Sequence, residues 1–460
     1  MNLEMLPQKL QGLRAFYESG ATRTLLFRKQ QLQLLKAAII KYEQALYAAL
    51  YSDLKKSAEE SWVTELGVVM AELNRALRKL GKWMQAEKVN TNLVNLPSSS
   101  YMLREPLGVV LIISPWNYPF QLLFTPLVGA IAAGNCVVLK PSELAPATAE
   151  IMATIIKETY ADEYIVYVEG DGAQVVPAMM NSFRFNHVFY TGSTQVGRSI
   201  YQLAAAQLTP VTLELGGKSP CVVESDANIP VAARRIAVTK FSNAGQMCIA
   251  PDYILVHASR KDELVAALKD AIGSFYTNDP ASCYNYGKII NERQFRRLTA
   301  YLSQGTIVFG GRHDISQLYI EPTILENVPT DTPLMKEEIF GPLLPVLSFT
   351  SFEEAKAIIE NNRDPLSFYI YTSNAKKEQE WLQAIAFGGG CVNNSSWHFT
   401  NHHLPFGGRG NSGIGKYHGK FSFDLFSNVK AVMKTPTWFD PAIKYPPFKG
   451  RLKLFKWIIK

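Results

Sequence analysis

The chain has 460 residues, is 47% hydrophobic and carries a formal net charge of +7. That length divides into two or three domains, and five scattered cysteines with no C-x-x-C pair fit neither a disulfide framework nor a zinc site, pointing to a reducing, cytoplasmic setting. Six positive charges crowd into the last 20 residues (Lys444, Lys449, Arg451, Lys453, Lys456, Lys460) with no acid among them, so the body is nearly neutral and excludes a nucleic-acid-binding surface.

The opening "MNLEMLPQKLQG" lacks the basic start and apolar run of a secretion signal, and no stretch reaches the roughly 18 apolar residues of a membrane span. From residue 4 to about 85, apolar residues recur at three- and four-residue spacing and predict helices. Asn, Pro and Ser in "EKVNTNLVNLPSSSYMLREP" then break that period and predict a hairpin or extended excursion over 86–106. From 107, the apolar runs "GVVLIIS", "NCVVLKP", "YIVYVEG" and "HVFYTGS" alternate with helical stretches. That alternation predicts an α/β fold with a doubly wound parallel sheet and a nucleotide crevice at the carboxyl ends of its strands. A second α/β series follows "PVTLELGGKSPCVVE", and the Gly-rich "PFGGRGNSGIG" closes it. "FSFDLFSNVKAVM" alternates like a strand that could extend a partner's sheet.

Cys248 stands in "FSNAGQMCIAPDY", among small residues and far from any second cysteine or histidine. It reads either as a buried structural thiol or as a nucleophile needing a base from elsewhere. Glu214, in "LELGGKSP", is flanked by leucines that favour its neutral form and bring it toward working range as a base, or it is a carboxylate tied to a helix end. Asn117, in "SPWNYP" at the end of the first doubly wound strand, is an oxyanion donor or a turn-former. Lys140 and Glu143 in "VLKPSE" suit phosphate or ribose, and Gly192, Ser193 and Gly197 in "YTGSTQVG" open a helix toward a phosphate.

Together these stretches resemble the NAD(P)-dependent aldehyde dehydrogenases. "SPWNYP", "KPSE", "YTGSTQVG", "LELGGKSP", "NAGQMCIAPDY", "EEIFGP" and "PFGGRGNSG" occur in the family's order between residues 104 and about 435, and the length resembles the class 3 branch. The resemblance implies an aldehyde dehydrogenase-like fold: a dinucleotide-binding domain (1–85 and 107–213), a catalytic domain (214–397), a small β bridging element (86–106 and 421–435) and a basic amphipathic tail (440–460). It implies Cys248 as nucleophile, Glu214 as general base, and Asn117 with the Cys248 N–H as oxyanion hole. Lys140 and Glu143 become adenosine-ribose ligands, Gly192, Ser193 and Gly197 the pyrophosphate end, and Glu338 and Phe340 of "EEIFGP" the nicotinamide end. Met247 touches the substrate pocket.

The reaction implied is oxidation of an aldehyde, medium- or long-chain or aromatic, to an acid through a cysteine thiohemiacetal and thioester. Glu143 opposes a 2′-phosphate and favours NAD, with NADP as the alternative. No metal is needed, and His398, His402 and His403 match no ligand spacing. The rivals are a catalytically silent binding protein on the same fold, opposed by intact Cys248, Glu214 and Asn117, and a coenzyme-A-acylating enzyme, opposed by Glu214. The class 3 branch forms homodimers through the bridging element. In "RLKLFKWIIK", Lys453, Lys456 and Lys460 fall on one side of a helix with Leu452, Phe455 and Ile459 on another, which reads as a peripheral membrane anchor or as a helix packed on the protein near the substrate entrance.

Overall fold

The computed structural model describes residues 5–459; Glu4, at the start of the expected helical stretch, and Lys460 of the tail lie outside them. The N-terminal stretch folds as helices Leu6–Glu18, Leu25–Lys41, Glu43–Leu54, Ala58–Ser61 and Gly67–Trp83. A π-helical turn, Trp62–Leu66, joins the last two and carries Glu65 wholly buried. Such bulges redirect side chains and gather at functional sites.

Five parallel strands form the first sheet, in the order Val211–Glu214, His187–Thr191, Val109–Ile113, Cys136–Lys140, Ile165–Tyr167. The three central strands are buried at every position, which is why they read as unbroken apolar runs. The winding direction reverses between Val109–Ile113 and His187–Thr191, and ligands bind in the crevice beyond such a reversal. The helix Pro119–Ala133 that follows the first strand is buried around its whole circumference and is apolar on every side accordingly.

The Gly-rich segment does not close the second series, as its place in the sequence suggests. It crosses back to the first sheet, where Gly413–Ile414 adds an antiparallel edge strand with Gly413 opposite Glu214. Only a residue without a side chain fits there, because a Cβ on Gly413 would lie 2.4 Å from the Leu213 carbonyl oxygen.

The second sheet has seven strands, ordered Thr306–Phe309, Thr323–Glu326, Leu343–Phe349, Tyr253–His257, Pro220–Val223, Ser367–Tyr371, Gly389–Val392; all are parallel but the first. A third, antiparallel sheet joins Glu87–Val89, Ser99–Pro106 and Ser427–Lys434. The expected strand over 421–435 is only partly one. Lys420–Leu425 is a helix, and the strand begins at Ser427. Phe423 and Phe426 are both buried, at helical rather than alternating spacing, and Phe423 packs on Trp83 with ring centroids 5.5 Å apart. In the tail, Leu452–Ile458 is helical and buries none of its residues. Among the described residues, no helix is long and apolar enough to cross a membrane.

A buried ion pair within the helical stretch ties it to the segment that follows the Val109–Ile113 strand. Lys56 and Glu65, both without solvent exposure, meet at 2.6 Å. Glu65 Oε2 accepts from the backbone N–H groups of Phe120 (3.1 Å) and Gln121 (2.9 Å), in the first turn of the buried helix, where a carboxylate is favoured. Lys56 Nζ donates to the Asn117 carbonyl at 2.9 Å and lies 3.9 Å from the centre of the Tyr118 ring. Burial pushes the Glu65 carboxyl up, opposed by the Lys56 charge and the two N–H donors. Breaking a buried pair leaves an uncompensated charge and costs about 3–5 kcal/mol. Lys56→Met is therefore expected to lower the unfolding free energy by about that amount in a urea titration.

Candidate active site

The helix Ile229–Phe241 ends in a turn that its sequence does not favour. Asn243 (φ 50°) and Ala244 (φ 51°) are both left-handed, which costs a non-glycine residue roughly 1–2 kcal/mol. Strain of this kind persists only where surroundings impose it. Here the Asn243 N–H donates to the Glu60 carboxylate (2.8 Å) and its amide to the Asn117 carbonyl (2.8 Å). Gln246 Nε2 donates to the carbonyls of Asn243 (3.0 Å) and Lys288 (2.9 Å), and its Oε1 accepts from the Ile290 N–H (3.0 Å). Gly245, at φ 74°, lets the turn pass 2.3 Å from the Gly341 carbonyl oxygen, measured from where a Cβ would sit. The small residues and amides around Cys248 hold a strained turn that presents the thiol half-buried.

Asn117 is brought to this turn. Its amide donates to the Gln246 carbonyl at 3.0 Å, leaving one N–H without a protein acceptor among the described residues. Glu214 ends its strand fully buried, and among the described residues no side chain hydrogen-bonds either carboxylate oxygen. Burial pushes its carboxyl well above the ordinary range, opposed by the Lys416 charge and the Gly408 N–H. Burial also pushes the Cys248 thiol up. Glu338 and then Glu214 add to that, while the N–H groups of Cys248 and Ile249 favour the thiolate. Cys248, Glu214 and Glu338 thus share one locality, with Asn117 bonded into the same turn.

Lys140 ends and Glu143 follows the first-sheet strand Cys136–Lys140, Gly192, Ser193 and Gly197 follow the first-sheet strand His187–Thr191, and Glu338 and Phe340 precede the second-sheet strand Leu343–Phe349. Lys140 Nζ donates to Glu143 Oε2 at 3.0 Å and to the Pro141 carbonyl at 2.6 Å, and the Gly172 N–H donates to Glu143 Oε1 at 3.4 Å. Ser193 caps the helix Thr194–Ala205, accepting from the Val196 N–H, while the Gly192 N–H donates to the Glu214 carbonyl at 3.0 Å. Gly197 lets the helix close on Leu215, whose Cδ2 would lie 2.6 Å from a Cβ there. Glu338 rests on Gly216, where a Cβ would meet its Oε2 at 1.9 Å. Its Oε1 is buried and unpartnered among the described residues, and burial with the nearby Asp252 charge pushes its carboxyl up to about 8. Phe340 packs edge-on against Trp116, centroids 5.3 Å apart. A buried carboxylate oxygen without a partner, a capped helix start and a Lys–Glu pair along one crevice fit a dinucleotide.

A cavity of about 600 Å³ reaches Cys248. Leu122, Met247, Phe275, Trp397, Phe399 and Phe406 are among its lining residues. His398, which reads as surface or packing, lies against Cys391 (Sγ to Nδ1 3.6 Å) and stacks on Phe406.

Several residues of this arrangement carry no local signal. Lys56 and Glu65 read as helix surface. Asp252 pairs with Lys218 at 2.5 Å and accepts from the Ile339 N–H at 3.1 Å, tying the nucleophile segment to the Glu338 segment. Its only clue is a charged residue just past the nucleophile, between Pro251 and Tyr253.

The model of the aldehyde dehydrogenase family matches residues 14–432. The chain is 44% identical to the 4,4'-diaponeurosporen-aldehyde dehydrogenase of Staphylococcus aureus over 460 residues, 100% of each chain. It is 43% identical over 451 residues to human aldehyde dehydrogenase family 3 member B1, covering 98% of this chain and 96% of the other. The solved substrate-bound state of Staphylococcus aureus AldH superposes with a TM-score of 0.96 at 44% identity, covering 98% of this chain and 99% of that one. The NAD+ complex of an aldehyde dehydrogenase from Bacillus cereus superposes with a TM-score of 0.85 at 26% identity, covering 94% and 89%. The chain belongs to the aldehyde dehydrogenase family, enzymes that oxidise aldehydes with NAD or NADP.

Above about pH 8 Glu338 is ionised and opposes formation of the Cys248 thiolate. Glu338→Gln is therefore expected to shift the pH dependence of Cys248 alkylation by iodoacetamide, measured without cofactor, toward lower pH.

Proposed function

We propose that this enzyme oxidises large apolar aldehydes to carboxylic acids, with Cys248 as nucleophile, Asn117 as oxyanion donor and Glu214 as general base. The observation that carries this reading is the cavity of about 600 Å³ that reaches Cys248, whose exposed wall is mostly apolar although polar side chains such as Gln121 and Thr239 also line it. The two carboxylates near it, Glu59 and Glu60, are already engaged by Tyr284 and by Ser242 and Asn243. A 44% identical relative named for 4,4'-diaponeurosporen-aldehyde supports the same reading.

The Cys248 thiolate adds to the aldehyde carbon. The free N–H of the Asn117 amide and the Cys248 N–H then donate to the oxygen as charge develops on it, and losing one such donor typically costs about 10²–10³ in rate. A bound NAD or NADP would supply the hydride acceptor for the substrate carbon. Lys140 and Glu143 would hold the adenosine ribose, the helix start at Gly192, Ser193 and Gly197 the pyrophosphate, and Glu338 with Phe340 the nicotinamide end; Glu143 favours NAD over NADP. Glu214, buried and with no side chain on either oxygen among the described residues, takes a proton from the water that attacks the Cys248 thioester and frees the acid. A general base of this kind supplies about 10²–10⁴ in rate, so its loss leaves acylation standing and stalls hydrolysis.

The dinucleotide-binding part is assigned to 1–85 and 107–213 and the catalytic part to 214–397. The three-stranded sheet bridges two copies into a homodimer. The tail meets a membrane surface peripherally from the cytoplasm, supported by Trp457 (73% exposed) and Ile459 (70% exposed) beside Lys453 and Lys456.

Reduced-cofactor absorbance with aldehydes from acetaldehyde to hexadecanal tests the substrate class. Each buried methylene contributes about 0.8 kcal/mol, so kcat/KM is expected to rise about three- to fourfold per methylene until the cavity is filled; acetaldehyde as best substrate would refute the assignment. Cys248→Ala should abolish turnover. Glu214→Gln should lower kcat by about 10²–10⁴ while keeping a first-turnover burst of reduced cofactor. Truncation after Asp440 should reduce co-sedimentation with anionic liposomes, and unchanged sedimentation removes the anchor.

A further inference from the structure

The mechanism leaves unused Lys416, the side-chain charge among the described residues that acts against protonation of Glu214. Lys416 follows the short edge strand Gly413–Ile414, which lies antiparallel to the base strand with Gly413 opposite Glu214. From there its half-buried ammonium donates to the carbonyl of Gly388 at 3.1 Å and to the carbonyl of Gly407. Gly407 is shared ground. A Cβ built on it would lie 2.7 Å from Glu214 Oε1 and 3.1 Å from Lys416 Cδ. Lys416 and Glu214 thus flank one glycine, yet the ammonium spends its hydrogen bonds on carbonyls, and among the described residues no side chain bonds the carboxylate oxygens.

We propose that Lys416 is a positioning residue for the general base: it pins the Gly407–Gly408 turn against Glu214 and supplies a positive charge that keeps the carboxylate ionisable, without occupying the oxygens that a water must reach. This rests on the assignment of Glu214 as base. The two limits explain the arrangement. With no cation, burial alone would hold the carboxyl protonated and unable to accept a proton. With a contact ion pair, the carboxylate would be a weak base with its oxygens covered. A cation one residue removed lowers the proton affinity and leaves the oxygens open. The coupling runs both ways, since Glu214 pulls the Lys416 ammonium up while burial pushes it down. The other titratable groups facing the pair are the Cys248 thiol and the Tyr417 hydroxyl, which feel the Glu214 charge, and His398, held down at about 4 by burial with a smaller contribution from Lys416.

The test is kcat against pH, at saturating aldehyde and cofactor, for the full-length enzyme and its Lys416→Met, Lys416→Gln, Lys416→Arg and Glu214→Gln variants. Lys416→Met removes charge and donors, whereas Lys416→Gln keeps donors to the two carbonyls and removes only the charge. Both are expected to move the acid limb of the profile to higher pH by about one pH unit, a tenfold loss below the limb that recovers above it. Lys416→Arg should keep the limb in place. An infrared titration of the Glu214 carboxyl band should move with the limb. If Lys416→Met and Lys416→Gln lower kcat equally at every pH, Lys416 only supports the turn and the inference is overturned. If Glu214→Gln keeps both rate and limb, the assignment of Glu214 as base has failed, and the inference with it.

Discussion

The reactive geometry depends on one backbone carbonyl, that of Asn117. It accepts from the Lys56 ammonium at 2.9 Å and from the Asn243 amide at 2.8 Å. The first bond links it to a buried ion pair on the N-terminal helices; the second links it to the strained turn that presents Cys248. Glu65 completes the frame by capping the buried helix that leaves the "SPWNYP" segment. A buried ion pair contributes little net stability compared with well-packed apolar residues, because desolvation offsets the attraction. What this one supplies is direction. It fixes where the Asn117 amide sits relative to Cys248, and in the proposed reaction a preorganised donor contributes only when held in place.

A second constraint is electrostatic. Three acidic groups, Cys248, Glu214 and Glu338, share a buried locality, and burial pushes all three toward their neutral forms. In the proposed reaction each acts only when it can lose its proton. The structure answers with separate, local counterweights: backbone N–H groups of Cys248 and Ile249 for the thiol, Lys416 and the Gly408 N–H for Glu214, and Lys218, Arg297 and the Gly217 N–H for Glu338. Among the described residues no ion pair neutralises any of them, so none is locked into one state.

Much of this was legible in the sequence. The apolar runs of the first sheet are visible because those strands are covered on both faces, and Cys248, Glu214 and Asn117 stand inside motifs whose order carries the family resemblance. The remainder was hidden for physical reasons. Lys56 and Glu65 lie nine residues apart in a stretch whose helical period makes charged residues look solvent-facing; the π-helical turn that turns Glu65 inward leaves no mark on that period. Lys416 lies 202 residues from Glu214 and meets it only because the Gly-rich segment crosses back to the first sheet. The helix at Lys420–Leu425 was masked by an alternation in "FSFDLFS" that packing against Trp83 overrides. Local pattern finds groups whose neighbours are in sequence, and misses those whose partners arrive through topology.

The account turns on a thioester at Cys248 that Glu214 is needed to release. Mass spectrometry of the Glu214→Gln variant, incubated with NAD+ and hexadecanal and digested under mildly acidic conditions, tests it directly. The peptide containing Cys248 should carry one hexadecanoyl group in near-stoichiometric yield. An unmodified Cys248 peptide, or an acyl group on any other cysteine, would contradict the account.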